Sequence, residues 1–403
     1  MSYRTDVSAR PKRRSMQDYV ASAVRSIPPS GIRRFFDLVA SSKDIISLGV
    51  GEPDFVTPWH IRDAAVVSLE RGWTTYTPNA GLPELREAIA EYLYREFECL
   101  YDPAKEIIVT VGGSEAIDLA LRALVEPGDE VLIPEPCYVA YHPLTVLGGG
   151  VPVGVETTAD DRFKLRPEKL EAAITPRSKI LLMCYPSNPT GGIMTYEDLL
   201  PIARIAQQYD LIVVSDEIYA ELTYGRRHVS IASLPGMKDR TILVSGFSKA
   251  FSMTGWRMGY ACGHPDLIAA MLKIHQYAVM CAPTMSQIAA LDALKHGMEE
   301  KARMVESYNQ RRRLFIRGLR EIGLECHEPE GAFYAFPSIR KTGMTSEEFC
   351  QRLLTEARVA AVPGHVFGRG GEGFIRCSYA RSVEELTEAL ERMGKFLESC
   401  KMM

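Results

Sequence analysis

From about residue 107 to about residue 260 the chain repeats one pattern that few folds can accommodate. Apolar runs of strand length (EIIVTVG, DEVLIPEP, VPVGVE, KILLMCYP, LIVVSDE and TILVSG) alternate with helical patterns such as SEAIDLALRALV and YEDLLPIARIAQQYD. A strand that is apolar along its whole length is buried on both faces, so strands separated by helices predict a mostly parallel sheet with helices on both sides. Beyond about residue 285 the pattern changes to long amphipathic helices, such as MEEKARMVESYNQRRRLFIRGLREIG. Shorter strands follow near GAFYAF, RVAAVPG and GFIRCSYA, which predicts a smaller α+β domain. SGIRRFFDLVASS, with Ser30 as a helix cap, packs beside it. The division expected is an N-terminal arm and part of the small domain over 1–54, a large domain over 55–285 and a small domain over 286–403.

Composition narrows the function. With 403 residues, 46% of them hydrophobic, two packed cores are expected. A formal net charge of −4 supplies no basic field for nucleic acid, so small molecules are the expected partners. Nine scattered cysteines include no CxxC pair and no Cys/His cluster, which argues against a metal and against a disulfide scaffold and fits a reducing cytoplasm. No apolar stretch of about 18 residues suggests a membrane span. The basic start, MSYRTDVSARPKRRS, lacks the apolar centre of a signal peptide and reads as a solvated terminus.

Ligands of open parallel sheets sit beyond the carboxyl ends of the strands, and those positions are polar here. They read GGSEA after EIIVTV, EPCY after DEVLIP, YPSNPTGG after KILLMC, DEIY after LIVVS and SGFSK after TILV. Gly112, Gly113 and Ser114 would turn a strand into a helix and offer N–H groups to a phosphate, although alone they read more readily as a plain serine-capped turn. Arg257, with Ser245 or Ser248, could complete a phosphate clamp. Asp216, ending an apolar strand, needs a cationic partner, for which a ring N–H would serve. Asn188 and Tyr219 could bond a phenolate oxygen, and Tyr138 could lie against an aromatic ring. Taken singly, these are also a helix cap, a turn asparagine and packing tyrosines.

One ligand uses all of these groups: pyridoxal 5′-phosphate, which carries a ring nitrogen, a phenolate, a phosphate and an aldehyde. Lys249 would join the aldehyde as a Schiff base and later act as general base, with partial burial and nearby Arg257 pushing its pKa down. Asp216 would keep the ring protonated, so that the ring can take up electrons released at a substrate Cα.

These stretches resemble the fold-type I, class I/II aminotransferases that depend on pyridoxal phosphate. The matching segments are LGVGEPDF, YTPNAGLPELREAI, VTVGGSEA, EPCYVAY, YPSNPTGG, SDEIY, SGFSKAFSMTGWRMGYACG, GAFYAF and IRCSYA, in family order over residues 25 to 395. The resemblance implies a seven-stranded, mostly parallel sheet in the large cofactor-binding domain. It implies that Arg376 binds the substrate α-carboxylate, beside Gly51, Tyr138 and Asn188. It also implies that Tyr76 reaches the cofactor phosphate of a neighbouring subunit, hence a homodimer with shared sites. Gly246 stands three residues before Lys249, where many relatives carry Ser or Thr, so Ser245 and Ser248 both stay open as the phosphate hydroxyl. SGIR, YPSNPTGG and HQYAVMCAP are similar to bacterial aspartate, aromatic and N-acetyl-diaminopimelate aminotransferase-like members, and no second arginine is assigned to a dicarboxylate side chain.

The activity expected is transfer of an amino group between an L-α-amino acid and a 2-oxo acid through a pyridoxamine form, with Lys249, Asp216 and Tyr219 as catalytic residues. Two alternatives share the framework. One is a β-eliminating lyase. The other is a non-catalytic regulator, which predicts an N-terminal winged helix that the roughly 25 residues ahead of the matching region are too few to form.

Overall fold

The structure is a computed structural model that describes residues 15–29 and 44–401. The expected Ser30-capped helix and most of the basic N-terminal run lie outside the described residues.

The large domain is built on seven strands: β2 (Ile107–Thr110), β3 (Glu130–Glu135), β4 (Val151–Glu156), β5 (Ser178–Cys184), β6 (Ile212–Asp216), β7 (Thr241–Gly246) and β8 (Gly259–Cys262), following a short β1 (Ile46–Ser47). Their order across the sheet is β2-β8-β7-β6-β5-β3-β4. The four pairs from β7 through β4 are parallel, and β8 runs antiparallel to both of its neighbours. The six apolar runs read from the sequence are six of these strands. The seventh, Gly-Tyr-Ala-Cys, follows Arg257 closely and inserts between β7 and the edge strand β2.

Side chains alternate between the two faces, as the pleat requires. Val131, Ile133, Ile180, Leu182, Val214 and Val244 join one core, which also holds Ile117 and Ala120 of the helix Gly112–Leu124. On the opposite face, Leu132, Leu181 and Val213 pack against Leu199 and Ile202 of the helix Tyr196–Gln208. That helix starts on a reciprocal cap, in which Thr195 and Asp198 bond each other's backbone N–H groups. Helix Pro265–Ala278 lies along helix Gly112–Leu124. Helix Thr284–His296 crosses the expected 285/286 division and packs against the helices Trp59–Glu70 and Pro83–Phe97, within the large domain.

The small domain holds β9 (Tyr334–Ala335), β10 (Val359–Ala360), β11 (Val362–Pro363) and β12 (Ile375–Ser378). An antiparallel trio runs β11-β12-β9, while β1 pairs in parallel with β10 and so ties the chain's early segment to this domain. Helices Ser346–Ala357 and Val383–Lys401 pack on these strands, and helix Met298–Glu321 packs on Val383–Lys401. Among the described residues no helix is long and apolar enough to cross a membrane.

Candidate active site

The carboxyl ends of β3, β5, β6 and β7 and the turn after β2 face the small domain across a cavity of about 410 Å³. Lys249 stands on the single helical turn Phe247–Ala250 that follows β7, and its Nζ donates to the Gly51 carbonyl at 2.6 Å. Burial brings its pKa down to about 8. The positive charges of Arg376 and Arg257 act in the same direction, while Glu52 and Asp216 oppose them. The downward shift expected from Arg257 and burial is present, with burial the largest cause.

Asp216 ends β6 beside Cys184 of β5. Burial lifts its carboxyl to about 6, against two hydrogen bonds that favour the charged form: Tyr141 Oη donates to Oδ2 at 2.7 Å, and the Ile218 N–H to Oδ1 at 3.2 Å. Neither donor is a cation. Tyr141 had no expected role, although it lies in the EPCYVAY stretch three residues after Tyr138; its ring meets that of Tyr138 edge-on at 5.6 Å.

Arg376 on β12 is 2% exposed. Nη1 donates to Asn188 Oδ1 at 2.8 Å and Nη2 to the Gly49 carbonyl at 2.6 Å, while Nε has no partner among the described residues. The guanidinium lies over the Tyr334 ring at 4.6 Å. Among the described residues no carboxylate pairs with it, so a buried charge rests on neutral acceptors, an arrangement that favours binding of an anion. Tyr219 and Tyr334 share a hydrogen bond at 2.8 Å. Tyr334 is a second residue to which the sequence assigned no role, despite its place in GAFYAF. At Gly51 an added Cβ would come within 2.5 Å of Tyr334 Oη, so a side chain there would displace the phenol.

Arg257 sits in the left-handed region (φ 51, ψ 56) after the turn Thr254–Trp256, and Nη1 donates to the Thr254 carbonyl at 2.8 Å. It too has no acidic partner among the described residues. Gly112 has φ +78, and a Cβ there would lie 2.5 Å from Arg257 Nη2. The helix start is thereby pressed against the guanidinium, with Gly113 and Ser114 lining the cavity. Ser248 also lines it, as do Tyr138 and Asn188. Ser245 does not: its hydroxyl donates to the Glu217 carbonyl at 3.3 Å. Tyr76 lies outside the cavity of its own chain and is 78% exposed.

A half-buried amine and a buried carboxylate lacking a cation, with two guanidiniums lacking anions among the described residues, therefore line one space. Comparison with known proteins gives that geometry a context. Residues 43–393 match the family model described as Aminotransferase class I and II. The protein named "Putative aminotransferase YugH" of Bacillus subtilis is 59% identical over 382 residues, covering 95% of this chain and 99% of that one. The aspartate aminotransferase of Pyrococcus abyssi is 47% identical, covering 93% and 97%. The solved structure of Pyrococcus protein-A1 superposes with a TM-score of 0.93 at 46% identity, covering 94% and 99%.

Proposed function

The chain belongs to the class I and II aminotransferase family, and from that membership we propose which of its residues perform each part of the reaction. The protein is a pyridoxal-phosphate-dependent aminotransferase, which passes an amino group from an amino acid to a 2-oxo acid. When bound, pyridoxal phosphate supplies an aldehyde that takes up the amino group and a ring that accepts the electron pair left at Cα.

The residues present suit that group. Asp216 would meet the ring nitrogen, supplying the anion to a cationic N–H that its own neutral donors leave unmatched. Because Arg376 holds the Asn188 amide oxygen, the Asn188 NH₂ is left as a donor. With Tyr334 able to donate to Tyr219, the Tyr219 O–H is free to join Asn188 at the phenolate oxygen. Gly113, Ser114, Ser248 and Arg257 would take the phosphate, with Ser248 favoured over Ser245 because it faces the cavity. Tyr138 offers its ring face.

Lys249 Nζ is the amine that would hold the aldehyde. Once free, it takes the proton from the substrate Cα, a task that suits an amine lowered to about 8. Arg376 keeps its Nε–H and one hydrogen on each terminal nitrogen for the substrate carboxylate. Its burial with neutral partners only is the observation that most directly supports an anionic substrate group at this place.

A second copy of the chain completes the reading. Trp73, Tyr76, Tyr277, Val279 and Met280 are all exposed. Their segments are joined by hydrogen bonds from Asn79 Nδ2 to the Met280 carbonyl at 2.7 Å and from Thr284 Oγ1 to the Thr75 carbonyl at 2.8 Å. An aromatic patch of this kind supports a homodimer in which Tyr76 reaches the partner's phosphate site. Nine free thiols, seven of them buried, support a cytoplasmic location.

The test is a half-reaction. Holoenzyme mixed with an amino acid and no acceptor should release one equivalent of 2-oxo acid per site and then stop. Continued turnover with ammonia release would show a lyase instead.

A further inference from the structure

His275 is fully buried on the helix Pro265–Ala278, away from the cavity lining, and among the described residues its side chain has one polar contact, with Glu115. Nδ1 lies 2.8 Å from Glu115 Oε1, while Nε2 is buried without a partner among the described residues. A carboxylate can only accept, so Nδ1 carries the shared proton, and the ring has no other bond to make. Glu115 Oε2 in turn accepts the Val111 N–H at 2.5 Å. Val111 is the residue from which the chain turns into Gly112, Gly113 and Ser114. Thr110 Oγ1 braces the same turn by donating to the Gly112 carbonyl at 3.0 Å.

We propose that His275 and Glu115 are positioning residues for the cofactor phosphate, acting as a relay in which the imidazole fixes the carboxylate and the carboxylate fixes the Val111–Ser114 turn. This rests on the reading of that turn as the phosphate cradle. Two physical effects follow from the geometry. The bond to Val111 holds the start of the helix, whose first N–H groups have no intrahelical partner, beside the cavity that Gly113 and Ser114 line. The bond from His275 occupies the other carboxylate oxygen, so that the negative charge of Glu115, one residue past Ser114, is partly offset where it would otherwise repel a phosphate dianion. Without His275, Glu115 would be left half-satisfied and free to turn toward the cradle. Neither residue touches the ring end of the site, so their influence is specific to the phosphate.

That specificity provides the test. Apoenzyme is titrated with pyridoxal 5′-phosphate and, separately, with pyridoxal, and binding is followed by protein fluorescence. Wild type should bind the phosphorylated compound far more tightly; equal binding of the two would remove the cradle reading itself. Given that preference, Glu115→Ala and His275→Ala should each raise the Kd for pyridoxal phosphate about tenfold while leaving the Kd for pyridoxal within about twofold. Glu115→Gln, which keeps an acceptor for Val111, and His275→Asn, which keeps a donor for Glu115, should recover most of the loss and also serve if the alanine variants fail to fold. An equal loss toward both compounds, no loss toward either, or conservative variants as weak as the alanines would each overturn the relay.

Discussion

Tyr141 donates its phenol hydrogen to Asp216 Oδ2 over 2.7 Å, at a carboxyl that burial has already lifted to about 6. The bond favours the carboxylate, so it opposes the desolvation that favours the acid. Tyr141→Phe removes it. A hydrogen bond to a charged group contributes about 1.5–3 kcal/mol, so kcat/KM should fall about tenfold to a hundredfold. On the proposed contact of Asp216 with the ring nitrogen, pyridoxal phosphate binding should weaken as pH falls through about 6. In Tyr141→Phe that acid limb should move to higher pH, which cofactor titrations from pH 5 to 8 will show. An unmoved limb would mean that Tyr141 only packs.

Lys249 leads to a pH dependence of opposite sense. Capture of the aldehyde needs the neutral amine, which predominates above about pH 8 here. For a pKa near 8, about a tenth of the amine is neutral at pH 7 and about nine-tenths at pH 9. Cofactor uptake by apoenzyme, followed by stopped-flow absorbance, should therefore rise steeply from pH 7 and level off by pH 9. A rate still rising tenfold per pH unit beyond pH 9 would indicate an ordinary lysine.

Arg376 holds Asn188 as well as facing the cavity, so its loss has two effects. Arg376→Ala should raise KM for every amino donor by about a hundredfold or more, because a charged, bidentate contact disappears and a buried partner is left unpaired. Asn188→Ala should cost less, and the double variant should cost less than the two losses combined. Steady-state kinetics over a panel of donors checks this; an effect of Arg376→Ala on one donor alone would move it into side-chain recognition.

Gly51→Ala should lower kcat, because the new Cβ would meet Tyr334 Oη and part it from Tyr219. Shortening the obstacle should relieve the clash, so Gly51→Ala with Tyr334→Phe should be more active than Gly51→Ala alone. An equally impaired double variant would place the fault in the backbone at residue 51.

Much of this architecture is visible in the chain before it folds. β3, β5, β6 and β7 are buried on both faces, and such strands appear as continuous apolar runs whatever else surrounds them. Their ends place Asn188, Asp216, Tyr219 and Lys249 on one crevice, which is why strand-end residues carry the site. Contacts between distant segments are less visible. β1 and β10 have two residues each, too few for any period, and their pairing joins Ile46 to Val359. Helix Thr284–His296 is much less amphipathic than the helices that follow, and its place beside the helices Trp59–Glu70 and Pro83–Phe97 is set by packing between distant segments. Within the site, a tyrosine that bonds Asp216 resembles one that packs, so Tyr141 and Tyr334 gave no signal beyond their motifs. Ser245 and Ser248 likewise separate only when the turn after β7 sends one toward Glu217 and the other into the cavity.

Holoenzyme reduced with borohydride and digested for mass spectrometry tests the central assignment most directly. The peptide containing Lys249 should carry the mass of the reduced cofactor at that residue, with loss of the visible absorbance, and Lys249→Ala should carry no label anywhere. A label on another lysine, or a protein that never acquires the chromophore when pyridoxal phosphate is supplied, would contradict the account.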